Sequence, residues 1–231
     1  MGKPIASKVY DAYGRFYDCF EMLFKKRLAR AIGAIPFFQG DQILDVGIGT
    51  GLSLEFYPAD VRVTGVDLSP GMLNQAQRKL DDGTVRAHSP REYTRLVEAD
   101  ALHLPFPDES FDCIFLSHVL TTVPDAQRCL AESIRVAREG AHIVLVNHFR
   151  SPYPVLSWLE TAIDPLCRKV GWRSDLSLDD LLQASGVGGD FRERKGIIFT
   201  LVYLQKHRDS VRVVPMPTPN PRTAALGTVN L

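Results

Sequence analysis

The sequence contains little cysteine and carries no excess of charge of either sign. Only 4 of the 231 residues are cysteine, and they are scattered with no C-x-x-C pair, so neither a zinc site nor a disulfide framework is indicated. Lys plus Arg and Asp plus Glu number 27 each, which gives a formal net charge of zero. This balance argues against a globally basic nucleic-acid-binding protein. We expect reduced thiols, no metal and no nucleic-acid partner.

The sequence also contains no long uninterrupted apolar run. The most apolar stretch, residues 16–38, is interrupted by Lys25, Lys26, Arg27 and Arg30, so no segment is long enough to span a bilayer. The N-terminus does not have the basic-then-apolar layout of a secretion signal. The sequence therefore predicts a cytoplasmic protein without a transmembrane segment.

Short apolar segments alternate with helical ones from residue 41 onward. Strands are predicted at 42–46, 61–66, 95–99, 112–117 and 142–147, and helices from about residue 52, from Ser69-Pro70, and at 125–138, 155–170 and 177–185. We expect the helix at 125–138 to end at Glu139-Gly140, and two more strands within 191–204 to turn at Lys195-Gly196. Strands that alternate with helices imply parallel βαβ units whose apolar strands are covered on both faces.

The two ends of the chain differ from this central domain, which we place at 41–206. Residues 1–40 carry aromatic and apolar side chains at spacings of three and four, beside basic residues, and are predicted as an N-terminal helical lid or membrane-contact segment. Such a helix can cover a ligand pocket, pack on the sheet or lie in the interface of an anionic membrane. Residues 207–231 are Pro-rich, and we expect a disordered or loosely attached tail.

A glycine-rich turn directly follows the first predicted strand. Its glycines are Gly47, Gly49 and Gly51, which allow the backbone to turn tightly and approach a ligand without a Cβ. A dinucleotide-binding turn normally has the spacing G-x-G-x-x-G, but here the third glycine comes one residue early. Asp45 precedes the first glycine by two positions. A carboxylate there suits a ligand with a positively charged amino group better than a pyrophosphate, which it would repel.

Two further acidic positions follow the next two predicted strands. Asp67 ends the second strand, where an acid in a nucleotide-binding α/β fold accepts hydrogen bonds from the ribose hydroxyls. Asp100 follows the third strand in the segment Glu98-Ala99-Asp100-Ala101, where it can accept from an adenine amino group. The three acidic elements together predict a site for an adenosine that carries an amino group.

These elements, in this order, resemble the class I S-adenosyl-L-methionine (SAM)-dependent methyltransferases over residues 40–150. The resemblance implies an enzyme with SAM as cofactor, S-adenosyl-L-homocysteine as product and no metal. It also implies an α/β fold, with a Rossmann-like, doubly wound, mostly parallel sheet, an antiparallel last strand and an N-terminal helical lid. The donor-site residues it predicts are Asp45, Gly47, Gly49, Thr50, Gly51, Asp67, Leu68, Met72, Asp100, Ala101, Leu102 and Ser117.

Further segments resemble bacterial phosphatidylethanolamine N-methyltransferases of the soluble, membrane-associating type. They are residues 117–125, 145–149, 166–175 and the closing strand 197–202. One departure is that this family carries prolines before its last strand, where this chain has Arg194-Lys195-Gly196. The resemblance implies methylation of the phosphatidylethanolamine headgroup towards phosphatidylcholine, as a step of phospholipid biosynthesis. It also implies peripheral association with an anionic membrane surface.

Methylation of an amine requires a proton acceptor, because the amine is mostly protonated at neutral pH. His148 follows the fifth strand, at the rim where ligands bind in open α/β sheets, and is the leading candidate for base or headgroup contact. Asn147 beside it can hold the histidine or the acceptor. His118 and Tyr17 are the alternatives, and a buried structural histidine is the competing interpretation of His148.

The remaining acceptor-site candidates are aromatic or basic. Tyr13 and Tyr17 share a helix face and can close over the donor or meet the headgroup, although two core tyrosines would show the same spacing. Arg150, Trp172 and Arg173 are candidates for the lipid phosphate, because arginine offers a bidentate fork. Exposed salt bridges would explain the arginines equally well.

Two other functions agree with the donor motifs. One is methylation of a quinone precursor or another small molecule, by enzymes that share these motifs and the Tyr-Asp pairs seen at Tyr10-Asp11 and Tyr17-Asp18. The other is an accessory protein that binds SAM without turnover. Residues outside the donor site must therefore distinguish between these possible acceptors.

Overall fold

The computed structural model describes residues 25–85, 91–151, 153–169, 171–189 and 200–217. Its strands are β1 (Gln42–Val46), β2 (Arg62–Asp67), β3 (Thr94–Glu98), β4 (Phe111–Ser117), β5 (Ala137–Asn147), β6 (Val187–Gly188), β7 (Thr200–His207) and β8 (Ser210–Val214). Its α-helices are α1 (Lys25–Gly33), α2 (Pro70–Asp81), α3 (Ala126–Val136), α4 (Pro154–Lys169) and α5 (Leu178–Ala184). Short 3₁₀ helices span Leu52–Phe56 and Arg91–Tyr93.

The eight strands form one sheet in the order β3-β2-β1-β4-β5-β7-β8-β6. Neighbouring strands from β3 to β5 pair in parallel, and β7 pairs antiparallel with β5. The predicted Rossmann-like, mostly parallel sheet with a late antiparallel strand is confirmed. The strand order reverses between β1 and β4, and open α/β sheets bind their ligands at the carboxyl ends of the strands at such a reversal.

Both faces of the sheet are covered. Successive side chains of its central strands point to opposite sides, so neighbouring residues of one strand belong to different buried clusters. Leu44 and Val46 of β1 belong to one buried cluster, which includes residues of α3 and α5. Ile43 belongs to a second cluster, which includes residues of α1 and α2. The sequences of β1 and β4 are therefore nearly continuous apolar runs because the sheet is buried on both sides.

The described part of the N-terminal segment packs on the sheet. Leu28, Ala31 and Ile32 of α1 are buried, and the Tyr203 hydroxyl of β7 donates to the Ala31 carbonyl at 2.9 Å. Residues 25–33 therefore follow the sheet-packing alternative for this segment, while residues 1–24, with Tyr13 and Tyr17, lie outside the described residues. None of the described helices is long and apolar enough to cross a membrane.

The end of α3 was predicted incorrectly. The helix ends at Val136, and Glu139-Gly140 lies inside β5, which begins at Ala137. The register between β4 and β5 shifts there, from Phe111 opposite Ala137 to Cys113 opposite His142. Gly140 has φ +81°, a conformation that serves an irregular strand as well as a helix end, so its sequence signal was ambiguous.

The predicted boundary at residue 206 is also wrong. Residues 210–214 form β8, which pairs antiparallel with β7 and buries Val211. His207 and Ser210 face each other across a two-residue turn, which continues the sheet beyond the expected domain end. The prolines at 215 and 217 follow this strand. The tail from 218 and the turn expected at Lys195-Gly196 lie outside the described residues.

Candidate active site

The glycine turn after β1 is held against the neighbouring strand. The N–H groups of Gly47 and Ile48 both donate to the Val66 carbonyl of β2, at 2.8 and 3.0 Å. Gly47 has φ +71°, and a Cβ there would lie 2.8 Å from the Cβ of Val119. Glycine is therefore required at this position by conformation and by space.

Asp67 connects the turn to the start of α2. Its two carboxylate oxygens accept from the N–H groups of Gly49 and Ser69, each at 2.9 Å. The Ser69 side chain in turn caps α2 by accepting from the Met72 N–H. A carboxylate oxygen has more than one acceptor site, so Asp67 keeps capacity for ligand hydroxyls.

Asp100 lies on the other side of the same cleft. One carboxylate oxygen accepts from the Leu102 N–H at 2.8 Å, which fixes the loop after β3. The side chain is 46% exposed, and its second oxygen lies 3.9 Å from His103 Nδ1, beyond hydrogen-bond distance, so this oxygen can accept from a ligand.

One cleft at the carboxyl ends of β1, β2 and β4 brings together nine of the twelve predicted donor residues. They are Gly47, Gly49, Asp67, Leu68, Met72, Asp100, Ala101, Leu102 and Ser117. His118 lines the cleft too. Val119 also lines the cleft, beside Ser117 and His118 after the fourth strand, but Val66, Ser69, Ala99, Thr122, Val123 and Pro124 were not predicted as lining residues. Their position at the ends of predicted strands, or in the loops that follow them, was the available signal.

The lining fits an adenosine. Leu68 is 37% exposed beside Met72, and such apolar side chains cover the faces of a base. The two carboxylates, Asp67 and Asp100, supply acceptors for hydroxyl and amino groups. The residues present therefore suit SAM.

Asp45, Thr50 and Gly51 do not line this cleft. Contrary to the expectation that Asp45 faces the ligand, its carboxylate is buried behind the turn. It accepts from the hydroxyls of Ser53 at 2.5 Å and Tyr57 at 2.9 Å. Burial raises the pKa of Asp45 to about 7, although both hydrogen bonds act to lower it.

His118 lies in the loop after β4, with φ +57° and its N–H donating to the Val146 carbonyl at 2.8 Å. Burial is the main cause that lowers the pKa of His118 to about 4, and Arg27 and His148 nearby contribute to the same shift. The imidazole is therefore neutral at neutral pH.

Asn147 and His148 end β5 on the same rim. Asn147 is fully buried, and its side-chain amide donates to the Thr121 hydroxyl at 3.1 Å. His148 Nε2 lies 3.5 Å from Glu160 Oε1 on α4. The ring of Trp172 lies 5.3 Å from the His148 ring, tilted by 52°. An imidazole, a carboxylate and an indole thus form one cluster, and sequence analysis missed Glu160.

The predicted phosphate ligands are placed differently from one another. Trp172 packs against His148, whereas Arg173 lies 3.4 Å from an Asp175 oxygen, as the salt-bridge interpretation expected. Arg150 is exposed, and its N–H donates to the Leu176 carbonyl at 2.8 Å. These residues surround the rim beside His148, and their side chains do not line the donor cleft.

A second buried acid lies on α4 one turn after Glu160. Asp164 accepts from the Ser174 N–H at 2.9 Å and from Arg168. Burial alone would raise the pKa of Asp164, but the hydrogen bonds from Arg168 and Ser174 hold it below its usual value. Asp164 therefore anchors the loop that carries Trp172.

The chain is similar to proteins of known activity. A family model described as "Methyltransferase domain" matches residues 44–145. A phosphatidylethanolamine N-methyltransferase of Cereibacter sphaeroides is 35% identical over 155 residues, which are 67% of this chain and 72% of the relative. A demethylmenaquinone methyltransferase of Thermobifida fusca is 33% identical over 148 residues, 64% of this chain and 56% of the relative.

Solved structures agree on the fold. The YcgJ protein of Bacillus subtilis matches with a TM-score of 0.59 and 25% identity, over 69% of this chain and 67% of that protein. An N-methyltransferase of Haemonchus contortus, in complex with phosphomonomethylethanolamine and S-adenosylhomocysteine, matches with a TM-score of 0.52 and 19% identity, over 65% and 33%.

Proposed function

Because the chain belongs to the SAM-dependent methyltransferases, we propose that it methylates the amine of a phosphatidylethanolamine headgroup, towards phosphatidylcholine. The observation that carries the proposal is the cluster of His148, Glu160 and Trp172 at the end of β5. A carboxylate and an indole ring both attract a cationic amine, and an imidazole can take its proton. The 35% identity to a phosphatidylethanolamine N-methyltransferase supports the same acceptor.

We assign the donor site residue by residue. Asp67 holds the ribose hydroxyls, Asp100 the adenine amino group, and the turn from Gly47 to Gly51 the methionine part. When bound, SAM supplies the methyl group on a positively charged sulfur, and a lone pair must approach it in line. Asp45 lies behind the turn and supports it by accepting hydrogen bonds from the hydroxyls of Ser53 and Tyr57.

On the acceptor side, the ammonium must lose a proton before its nitrogen has a lone pair. His148 takes that proton, and Glu160 balances the positive charge that forms on the imidazole. His118 is a poor base, because a group with a pKa of about 4 holds a proton poorly at neutral pH. It instead positions the acceptor by a hydrogen bond. With SAM held by Asp67, Asp100 and the glycine turn, the positive charge of the sulfonium would pass to the methylated nitrogen, which Glu160 and Trp172 would then face.

A second candidate function is methylation of a quinone precursor, which the 33% identity to a demethylmenaquinone methyltransferase favours. That acceptor carries no amine, so it needs neither Glu160 nor Trp172 as a cation site. An accessory protein that binds SAM without turnover remains the third hypothesis.

The test uses the full chain, radiolabelled SAM and vesicles, followed by lipid extraction and identification of the labelled product. One vesicle set contains phosphatidylethanolamine, a second contains demethylmenaquinone, and a third contains phosphatidylglycerol alone. We expect label in methylated phosphatidylethanolamine only in the first set. Label only in the second set would establish the quinone function, and no label in any set would favour the accessory protein. His148→Ala should abolish labelling of the phospholipid, and unchanged turnover in that variant would refute the base assignment.

A further inference from the structure

The loop between β4 and α3, residues 118–125, forms one wall of the donor cleft. Its lining residues are His118, Val119, Thr122, Val123 and Pro124. The loop is tightly turned, because the Val119 carbonyl accepts from the N–H groups of Thr122 and Val123, at 2.9 and 3.1 Å. Val119 also packs against the glycine turn, where a Cβ on Gly47 would lie 2.8 Å from the Val119 Cβ. The loop therefore has a fixed position relative to the donor.

Thr121 belongs to the same loop but faces away from the donor cleft. It is 2% exposed and does not line the cleft. Its hydroxyl accepts from the side-chain amide of Asn147 at 3.1 Å, and its carbonyl accepts from the Arg173 N–H at 2.8 Å. Asn147 directly precedes His148, and Arg173 directly follows Trp172. One buried residue thus contacts the chain neighbours of both rings in the acceptor cluster.

The two hydrogen bonds reach the acceptor cluster through different parts of the chain. Asn147 ends β5, whereas Trp172 and Arg173 follow α4. The rings of His148 and Trp172 lie 5.3 Å apart, so the two parts meet again at the cluster. Thr121 therefore closes a ring of contacts that passes through Asn147, His148, Trp172 and Arg173. Each member of such a ring is held from two sides, so none of them can shift alone.

We propose that Thr121 is a positioning residue, which holds His148 and Trp172 at a fixed distance from the donor cleft. The acceptor nitrogen must approach the methyl group in line, and a misplacement of about 1 Å can lower the rate by about 10²-fold. The loss of the Thr121 hydroxyl would leave the buried Asn147 amide without this acceptor, which destabilises the end of β5. The effect on methyl transfer rests on the proposed function, because it requires an acceptor at His148, whereas the hold on the Trp172 loop does not.

Three variants separate the hydroxyl group from the rest of the side chain. Thr121→Val removes the hydroxyl and keeps the shape of the side chain, whereas Thr121→Ser keeps the hydroxyl. Thr94→Val is the matched control, because it makes the same chemical change at the first residue of β3, at the end of the strand away from the cleft. Among the described residues, the Thr94 hydroxyl has no hydrogen-bond partner to lose.

The first measurement needs no methyl acceptor. The chain contains 2 tryptophans, so Trp158→Phe leaves Trp172 as the one source of indole fluorescence. In this background we expect Thr121→Val to raise the quenching of Trp172 by acrylamide at least about twofold, because a weakened hold lets the loop open more often. Thr121→Ser and Thr94→Val should leave the quenching unchanged. Isothermal titration calorimetry should give all variants the SAM affinity of the wild type, because neither threonine lines the cleft.

The second measurement is turnover on phosphatidylethanolamine. We expect Thr121→Val to lower kcat at least about tenfold, with an unchanged KM for SAM, because only the alignment of the acceptor is lost. Thr121→Ser should recover most of the rate. A role in general stability would instead weaken SAM binding and lower kcat together. If Thr121→Val does not fold, as judged by circular dichroism, Asn147→Leu takes its place, because it removes the same hydrogen bond and leaves no buried amide behind.

Unchanged quenching of Trp172 in a folded Thr121→Val variant would overturn the proposal. So would a loss of kcat that Thr121→Ser shares, or a raised quenching at full kcat in an enzyme that methylates phosphatidylethanolamine. A wild type without turnover on this lipid would refute the phospholipid function alone. The quenching of Trp172 then decides on Thr121 by itself, since that measurement uses no acceptor.

Discussion

The carboxylate of Asp67 accepts a hydrogen bond from the Gly49 N–H at 2.9 Å, so the residue that ends β2 also holds the glycine turn that follows β1. Its other oxygen holds the Ser69 N–H at the start of α2. The glycine turn after β1 and the loop between β2 and α2 thus share one side chain. A residue that was predicted as a ligand contact also organises the loops around that contact.

We expect Asp67→Ala to weaken SAM binding by about 10- to 100-fold. The variant loses a charged hydrogen-bond acceptor, and bonds to charged groups contribute about 1.5–3 kcal/mol each. It also releases the Gly49 N–H. Isothermal titration calorimetry with SAM measures the affinity. Asp209→Ala, in the exposed turn between β7 and β8, is the control and should bind SAM as the wild type does. An unchanged affinity in Asp67→Ala would remove Asp67 from the donor site.

Gly47→Ala should destabilise the protein more than Gly83→Ala. Both glycines have nearly the same positive φ, +71° and +73°, so both variants carry the same backbone strain of about 1–2 kcal/mol. Only at Gly47 would the new Cβ lie 2.8 Å from Val119 Cβ, whereas Gly83 has open space. Urea unfolding measures the difference, which we expect to exceed about 1 kcal/mol. Val119→Ala should recover part of it, and equal losses in the two glycine variants would contradict the steric argument.

Asp45 should make stability depend on pH between about 4 and 7. Burial raises its pKa from 3.8 to about 7 in the folded protein. As pH rises through this range, the unfolded chain ionises Asp45 before the folded protein does, and this lowers the free energy of unfolding. Since one pKa unit corresponds to about 1.4 kcal/mol, a shift of about three units makes the loss on the order of 4 kcal/mol.

The comparison variant for this effect is Asp45→Asn, which cannot ionise. Urea unfolding at pH 5 and pH 8 should show that the wild type loses stability relative to Asp45→Asn as the pH rises. A constant difference between the two proteins across this range would show that Asp45 titrates normally. The Ser53 and Tyr57 hydroxyls stay available to the amide oxygen, so the variant preserves most of the local packing.

The donor site was largely predictable from sequence, because its residues follow directly after strands whose parallel order places them on one edge. Asp67 and Asp100 could be located from that rule alone. Glu160 could not, because it reaches His148 from a helix twelve residues later and nothing local marks an acid that points inward. The end of α3 was predicted wrongly for another reason, since a glycine with positive φ occurs both after helices and in irregular strands. Strand β8 was not predicted, because prolines beyond Val214 dominated the composition of the segment.

Variants of Glu160 and Asp164 can distinguish an effect on catalysis from an effect on stability. Both residues are buried acids on one helix, but of the two only Glu160 contacts His148. We expect Glu160→Gln to lower kcat on phosphatidylethanolamine at least about tenfold, because it removes the charge that balances a protonated His148. The KM for SAM should not change, since Glu160 does not line the donor cleft. Asp164→Asn loses the ion pair with Arg168 and should mainly lower the midpoint of thermal unfolding. Steady-state kinetics and calorimetry on both variants give the comparison. If the two substitutions lower kcat equally, at similar thermal stability, then Glu160 only holds the loops in place, and His148 does not need its charge.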